Sequence, residues 1–301
     1  MRRPFCAQLA EENAEPLFAT ASRVEHWLLV EYRGLWARDP IAGSSLSEEV
    51  KRHLRTQLAA LPRSRLLFIR RAGRRRQPGL AVFVGRTDER ERPFFRLELE
   101  RYEDLLELDV RAALADGDRP GLDQPLLVVC THGKRDRCCA KWGRPLFDAL
   151  REEADEEWVW QSTHVGGDRF AGNLVCFPHG LYFGRVDRVE LGPLLDEYLA
   201  GRIYLAPFRG SCCYSFAVQA AERLVRGAAG LTGTEDLRLL GTERLGDDRW
   251  DVSFLAEPTG EVHDVEVAAK LGDPTYLTCS AETLKRPRHY VAARHRVRTA
   301  P

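Results

Sequence analysis

The chain has 301 residues, of which 44% are hydrophobic and 30% charged, enough apolar surface for sizeable cores and too much for intrinsic disorder. That length predicts two or three compact units. Basic and acidic residues balance at 45 each, which argues against a nucleic-acid binder working through bulk electrostatics. No apolar run approaches the roughly 18 residues that a bilayer crossing needs, and the opening MRRPFCAQLAEENAEP lacks the apolar stretch of a secretory signal. The expectation is a cytoplasmic protein, with neither nucleic acid nor membrane as partner and with reduced thiols. Eight cysteines in such a chain point to metal or redox chemistry where they cluster with histidine, and to small buried hydrophobes elsewhere.

In chain order, His26 to Arg33 (HWLLVEYR) reads as a buried strand. Leu46, Val50, Leu54, Leu58 and Leu61 recur at helical spacing, with Ser45 and Glu48 resembling a capping box. RLLFIR (65–70) and LAVFVG (80–85) read as strands about the polar turn RAGRRRQPG. A strand over 94–99 then leads to a helix over about 102–115. The Gly-, Pro- and Asp-rich stretch 116–125 marks a boundary, giving an N-terminal α/β domain over 1–118.

A second domain, 119–202, repeats this grammar. The strand PLLVVC (125–130) runs into the loop THGKRDRCCAKWG, and Pro145 is placed at a helix start. Strands follow at 158–161, 173–177 and 181–186, the last two about the turn Pro178-His179-Gly180, and an amphipathic helix over 191–199 closes the unit. The order suits a thioredoxin-like layer, and the first domain reads as a diverged copy by grammar alone. The third region, 203–301, is smaller and α+β: a helix at 215–225, strands at 250–255, 261–268 and 275–279, and a basic closing stretch, KRPRHYVAARHRVR, read chiefly as a solvated tail or helix face.

Two stretches carry chemistry. In CTHGKRDRCC, eight residues separate Cys130 from Cys139, and HVGGDRFAGN begins 25 residues later at His164. Both fall at strand ends, where a scaffold presents loops. Thiolates and imidazole drawn from two such loops are the usual donors for zinc or an iron–sulfur cluster. Gly166, Gly167 and Gly172 permit a close backbone approach. His132, Gly166, Gly167 and Arg169 are candidates to support the ligands from behind. Lys134, Arg135 and Arg137 read as a solvated loop or as a docking patch for an acidic redox partner. No carboxylate pair suggests a glycosidase, and no residue is assigned a catalytic role.

CTHGKRDRCC, HVGGDRFAGN and the following PHGLYFGRV strongly resemble the sucrase/ferredoxin-like family, a group with thioredoxin-fold ferredoxin domains that includes the fungal actin-patch-distribution protein. The likeness is best over 125–187 and looser at WLLVEYRGLW, RLLFIRR and YLAPFRGSCCYSFAVQAAE. It implies a [2Fe–2S] cluster held by Cys130, Cys139 and His164. Where the family's H-x-x-x-H would place its second histidine, this chain has Asp168. Three readings stay open: Asp168 is the fourth ligand, another group such as Cys176 or His179 completes the site, or the cluster is absent. With a carboxylate as fourth ligand the oxidised site would carry a net charge of roughly −1, between the values for two and for no histidine ligands, and its potential should lie between those limits.

The leading expectation is thus an electron-transfer or redox-sensing protein that takes electrons from a separate reductase, since no Gly-rich dinucleotide fingerprint follows a strand. The alternatives are a thiol–disulfide oxidoreductase on the same scaffold, disfavoured because no C-x-x-C stands at the strand-to-helix position, and a zinc-stabilised binding module.

Overall fold

The computed structural model describes residues 4–73, 78–117 and 119–299. In chain order the elements are α1 (Cys6–Glu12), β1 (His26–Glu31), α2 (Glu48–Ala59), β2 (Ser64–Arg70), β3 (Leu80–Arg86), β4 (Phe94–Leu99), α3 (Val110–Ala115), β5 (Leu126–Cys130), α4 (Arg137–Glu153), β6 (Val159–Ser162), β7 (Leu174–Phe177), β8 (Leu181–Phe183), α5 (Arg188–Leu199), β9 (Phe208–Ser211), α6 (Phe216–Ala229), β10 (Leu237–Gly246), β11 (Arg249–Ala256), β12 (Glu261–Leu271) and β13 (Arg288–Thr299). The expected α+β class is what is found. Among the described residues no helix is long and apolar enough to cross a membrane.

Two compact units emerge, neither of them a single stretch of chain. Unit one gathers the residues up to 23, 166–173 and those from 181 onward; unit two gathers 24–165 and 174–180. In unit two, seven strands follow one another in the order β4-β3-β1-β2-β6-β5-β7. β1 and β2 are parallel, joined through α2, with β3 antiparallel on the other side of β1. β5 and β6 are parallel, joined through α4, with β7 antiparallel on the other side of β5. The similar grammar of the two sequence segments therefore corresponds to the same local topology. β2 and β6 meet antiparallel, pairing Ile69 with Ser162 and Arg70 with Gln161. One core of this unit packs Val50 and Leu54 of α2 against Leu28, Val30, Phe68 and Val82.

Unit one holds an antiparallel four-stranded sheet, β10-β11-β12-β13. Val252, Phe254, Val265 and Val267 pack with Ala217, Ala221 and Val225 of α6. α6 starts on the Ser215 cap and ends at Gly230 in the left-handed region, a position that favours glycine. β8 pairs antiparallel with β9, Leu181 opposite Ser211.

Several local expectations are corrected. α2 is capped by Ser47, whose side chain accepts from the Val50 amide at 3.3 Å. Ser45 is engaged instead with the Tyr32 hydroxyl at 3.0 Å. The helix expected over 102–115 divides into a 3-10 turn, Tyr102–Glu107, and α3, which starts at the Asp109 cap. α4 begins at Arg137, eight residues before Pro145. Asp136 accepts from the Cys138 amide at 2.8 Å and starts the helix, so Cys138 and Cys139 are helical and Pro145 lies inside it. Residues 275–279 form no strand, only an isolated bridge from Thr275 to Lys285. The basic closing stretch is β13, eleven of whose residues pair with β12. The N-terminal stretch forms α1, with Cys6 buried. Residues 74–77 of the expected turn RAGRRRQPG lie outside the described residues.

Candidate metal centre

Cys130 is the last residue of β5, and the turn after it is tightly bonded. The Gly133 amide donates to the Thr131 carbonyl at 2.9 Å, and the Arg135 and Asp136 amides donate to the His132 carbonyl at 3.0 and 3.2 Å. Asp136, itself buried, then caps α4 and places Cys139 in its first turn, where the positive end of the helix dipole favours an anion. Cys139 and Gly143 are four residues apart and share a helix face. A Cβ on Gly143 would lie 2.0 Å from the Cys130 carbonyl oxygen, so only glycine lets α4 approach the end of β5 this closely. Gly143 thus helps bring Cys139 to Cys130. Sequence reasoning missed it, although the i, i+4 spacing from Cys139 was a usable signal.

The third donor comes from the loop after β6. Thr163 is bonded to β2 in both directions: its amide donates to the Phe68 carbonyl at 2.8 Å, and its hydroxyl accepts from the Phe68 amide at 3.0 Å. The Arg65 guanidinium donates to the Val165 carbonyl. His164 is therefore held from both neighbours. The Cys139 sulfur lies 3.9 Å from His164 Nδ1, and one ligand atom each from Cys130, Cys139 and His164 fall within 4.8 Å of one another. Three of the four expected ligands are thus brought together in unit two.

The surroundings of Cys130 favour loss of its proton. A hydrogen bond with Cys139 holds its thiol well below the ordinary cysteine value; burial opposes this, and His164 and the His132 backbone amide add to the lowering. His132 is anchored within the turn. Its Nε2 is 2.8 Å from the Ala37 carbonyl, which can only accept, so Nε2 carries the proton. Nδ1 is then the bare nitrogen, buried with no hydrogen-bond partner. Burial lowers the basicity of this imidazole. Trp36 meets the His132 ring edge-on at 6.0 Å, and Arg70 stacks on Trp36 at 4.0 Å.

The remaining candidates fall elsewhere. Cys176 is buried in β7 opposite Leu127, and burial alone pushes its thiol far up. Among the described residues neither it nor His179 joins the Cys130 group. Asp168 belongs to unit one, buried at the start of the 3-10 turn Asp168–Phe170. Gly166 and Gly167 have φ of 102° and 80°. What Gly167 approaches is the guanidinium of Arg209, 2.2 Å from where its Cβ would stand. Arg209, fully buried on β9, donates to the Gly166 carbonyl at 3.1 Å, to Asn173 Oδ1 at 2.7 Å and to the Thr20 hydroxyl at 3.0 Å. Arg169 pairs with buried Glu15 at 2.7 Å and so braces its own loop. Arg209 is the organising residue that sequence reasoning did not single out. Lys134, Arg135 and Arg137 are exposed.

The donors fit a metal: two sulfurs, one already biased to thiolate, and one imidazole. A single tetrahedral zinc ion, with sulfur at about 2.3 Å and nitrogen at about 2.0 Å, would hold those atoms about 3.5 Å apart, close to the 3.9 Å found.

The sequence pattern of the sucrase/ferredoxin-like family matches residues 17–210, more than half of the chain. The chain belongs to this family. Among fungal relatives, proteins named altered inheritance of mitochondria protein 32 are similar to it. The one from Meyerozyma guilliermondii is 28% identical over 146 residues, covering 44% of this chain and 50% of the relative. The one from Eremothecium gossypii is 30% identical over 103 residues, covering 30% and 33%, and the one from Debaryomyces hansenii 29% over 99 residues, covering 30% and 36%. The chain therefore matches at most half the length of these curated relatives. No solved structure matches.

Proposed function

We propose that this sucrase/ferredoxin-like chain binds a [2Fe–2S] cluster through Cys130, Cys139 and His164 and passes single electrons between separate redox partners. The observation that carries the reading is the convergence of two thiols and one imidazole from a strand end, a helix start and a following loop, in a chain of this family. The cluster would supply a one-electron couple. The chain's own part is to lower the Cys130 pKa through the Cys139 bond and the His132 amide, to present His164 in one orientation, and to exclude water by burying both cysteines. Exposed Lys134 and Arg135 on the turn and Arg137 at the start of α4 are suited to dock an acidic partner.

The compactness of the three donors favours zinc as a second reading, because cysteines on one iron and a histidine on the other would sit farther apart than ligands of one ion. The depressed thiol of Cys130 fits a thiol–disulfide enzyme less well, since the residue is 1% exposed and a reactive thiol needs access.

Protein purified without oxygen, assayed for iron, zinc and acid-labile sulfide and by visible and EPR spectroscopy, separates these readings. About two irons and two sulfides per chain with sulfur-to-iron charge-transfer bands support the cluster; zinc without sulfide supports the binding module. Cys139→Ser and His164→Ala should each lower cluster retention. A metal content and spectrum unchanged in both would remove these residues from the ligand set.

A further inference from the structure

Two cysteines that play no part in the centre just described meet within unit one. The thiol of Cys279 donates to the sulfur of Cys6 at 3.7 Å across a separation of 273 residues. Cys6 is 1% exposed, in the first turn of α1, and Cys279 is half-buried. The N-terminal segment is fixed on this unit by other contacts. Buried Glu15 accepts from Arg169 at 2.7 Å and lies 3.4 Å from His289 Nε2. Arg185 donates to the carbonyls of Ala10 and Glu15 at 3.3 and 3.0 Å. The Cys6 sulfur is thus delivered to its place by anchors that do not involve Cys279. On the other side, Cys279 stands in an irregular turn, with Ala281 bonded to Thr278 at 3.1 Å, and no sheet ladder holds it rigid. A disulfide requires sulfurs about 2.05 Å apart, so they must close by about 1.6 Å, within reach of a rotamer change in such a turn.

We propose that Cys6 and Cys279 are a thiol pair that closes reversibly into a disulfide, with a small-molecule disulfide of the glutathione type as oxidant. Cys279, the more accessible, loses its proton to solvent and attacks one sulfur of the oxidant. That S–S bond breaks and one small thiolate leaves. Cys6, deprotonated in turn, attacks the Cys279 sulfur of the mixed disulfide; the Cys6–Cys279 bond forms and the second small thiolate leaves. Two protein thiols are oxidised by two electrons, one small disulfide is reduced to two thiols, and the two protons released are taken up by the leaving thiolates. The product would tie α1 to the segment after β12 in the manner of a latch. This inference does not rest on the proposed cluster, and it stands or falls separately from it.

The test uses the full chain equilibrated in buffers of stepped reduced-to-oxidised glutathione ratio, quenched in acid, denatured, alkylated and mapped by peptide mass spectrometry. The expected result is a Cys6 peptide linked to the Cys279 peptide, about 2 Da lighter than the pair of thiol peptides. Both thiols should disappear at one common ratio, and both should return with dithiothreitol. In Cys279→Ser, Cys6 should stay alkylatable across the same range. The proposal is overturned if Cys279 stops at the glutathione mixed disulfide while Cys6 remains alkylatable, if either cysteine links to a different one, or if both stay reduced at the most oxidising ratio.

Discussion

Replacing Gly143 with alanine should destabilise the chain and loosen the Cys130–Cys139–His164 group, although the same change inside a helix ordinarily stabilises. An alanine in a helix interior is favoured over glycine by about 0.5–1 kcal/mol. At Gly143, however, the added carbon would stand 2.0 Å from the Cys130 carbonyl oxygen and 3.1 Å from its carbon, where contacts under 3.0 Å are not seen. The obstacle is backbone and cannot swing away. α4 and the end of β5 must part by about 1 Å, an overpacking that costs about 1–3 kcal/mol. Metal sites tolerate ligand displacements of about 0.2 Å, so a shift several times larger between Cys130 and Cys139 should weaken metal binding about tenfold or more. Urea denaturation would give the stability, and competition with a chromogenic chelator the metal affinity. Gly227→Ala in α6 is the control: the position is exposed, and its Cβ would meet only the flexible end of Arg223, at 2.7 Å. It should be neutral or stabilising. Gly143→Ala protein as stable as its parent, with metal retained, would refute the argument that this glycine sets the spacing of the two cysteines.

Thr163→Val keeps the shape of the side chain but leaves the buried Phe68 amide without the acceptor it has at 3.0 Å. A loss of about 1–3 kcal/mol is expected, with faster hydrogen exchange at the Phe68 amide and weaker metal binding; unchanged exchange would show that the bond is not formed. Arg209→Met should cost about 3 kcal/mol or more, since it strips charged donors from Gly166, Asn173 and Thr20, and Arg209→Lys should not rescue it, lacking the planar fork; thermal melts of both variants decide this. His263, 2.9 Å from His295, has its pKa lowered below 6.5, first by burial and then by His295, against smaller raising effects of Glu261 and Asp264. Its folded-state pKa is depressed, so as pH falls below about 6.5 the unfolded chain gains a proton that the folded chain refuses, and stability drops. Urea melts of parent and His263→Phe between about pH 7.5 and about pH 5 should show the acid-side loss shrinking in the variant; equal slopes would exclude His263 as its source.

Much of the fold was legible because its signals were local. β1, β2, β3, β4 and β5 are apolar runs between polar turns, and each lies within two residues of its expected bounds. Cys130, Cys139 and His164 were legible as donors because their residue types are scarce. What failed to show depended on competition or on distant partners. Gly143 and Pro145 read as loop and helix start, yet the Asp136 cap had already begun α4 at Arg137. β13 carries arginines at 288, 294, 296 and 298, and its strand character arises from pairing with β12: Arg298, on Val262 in the ladder, also reaches Asp264 with its side chain at 2.8 Å. Arg209 looked like one arginine among many, because its meaning lies in acceptors at Thr20, Gly166 and Asn173 that sequence distance conceals.

The two halves of unit two share a topology but not a chemistry, and the difference shows how the centre is held. β5 ends on Cys130, a candidate ligand. β1 ends on Glu31, whose carboxylate accepts from the Ala81 amide at 3.0 Å and so ties β1 to β3. The first half therefore holds no candidate ligand at the corresponding strand end. It contributes position instead. β2 lies beside β6 and bonds Thr163 in both directions, which fixes the residue before His164. The Ala37 carbonyl accepts a hydrogen bond from His132 Nε2 and so helps fix the turn between Cys130 and Cys139. Each ligand-bearing loop thus rests on a hydrogen bond from the half that bears none. Rigid support of this kind lowers the reorganisation needed when ligands are loaded, and a donor set preorganised to within a few tenths of an ångström binds more tightly than one gathered by the metal. On this argument the first half contributes by positioning His164 and His132, and changes along β2 that leave Cys130, Cys139 and His164 intact should still be felt in the affinity for metal.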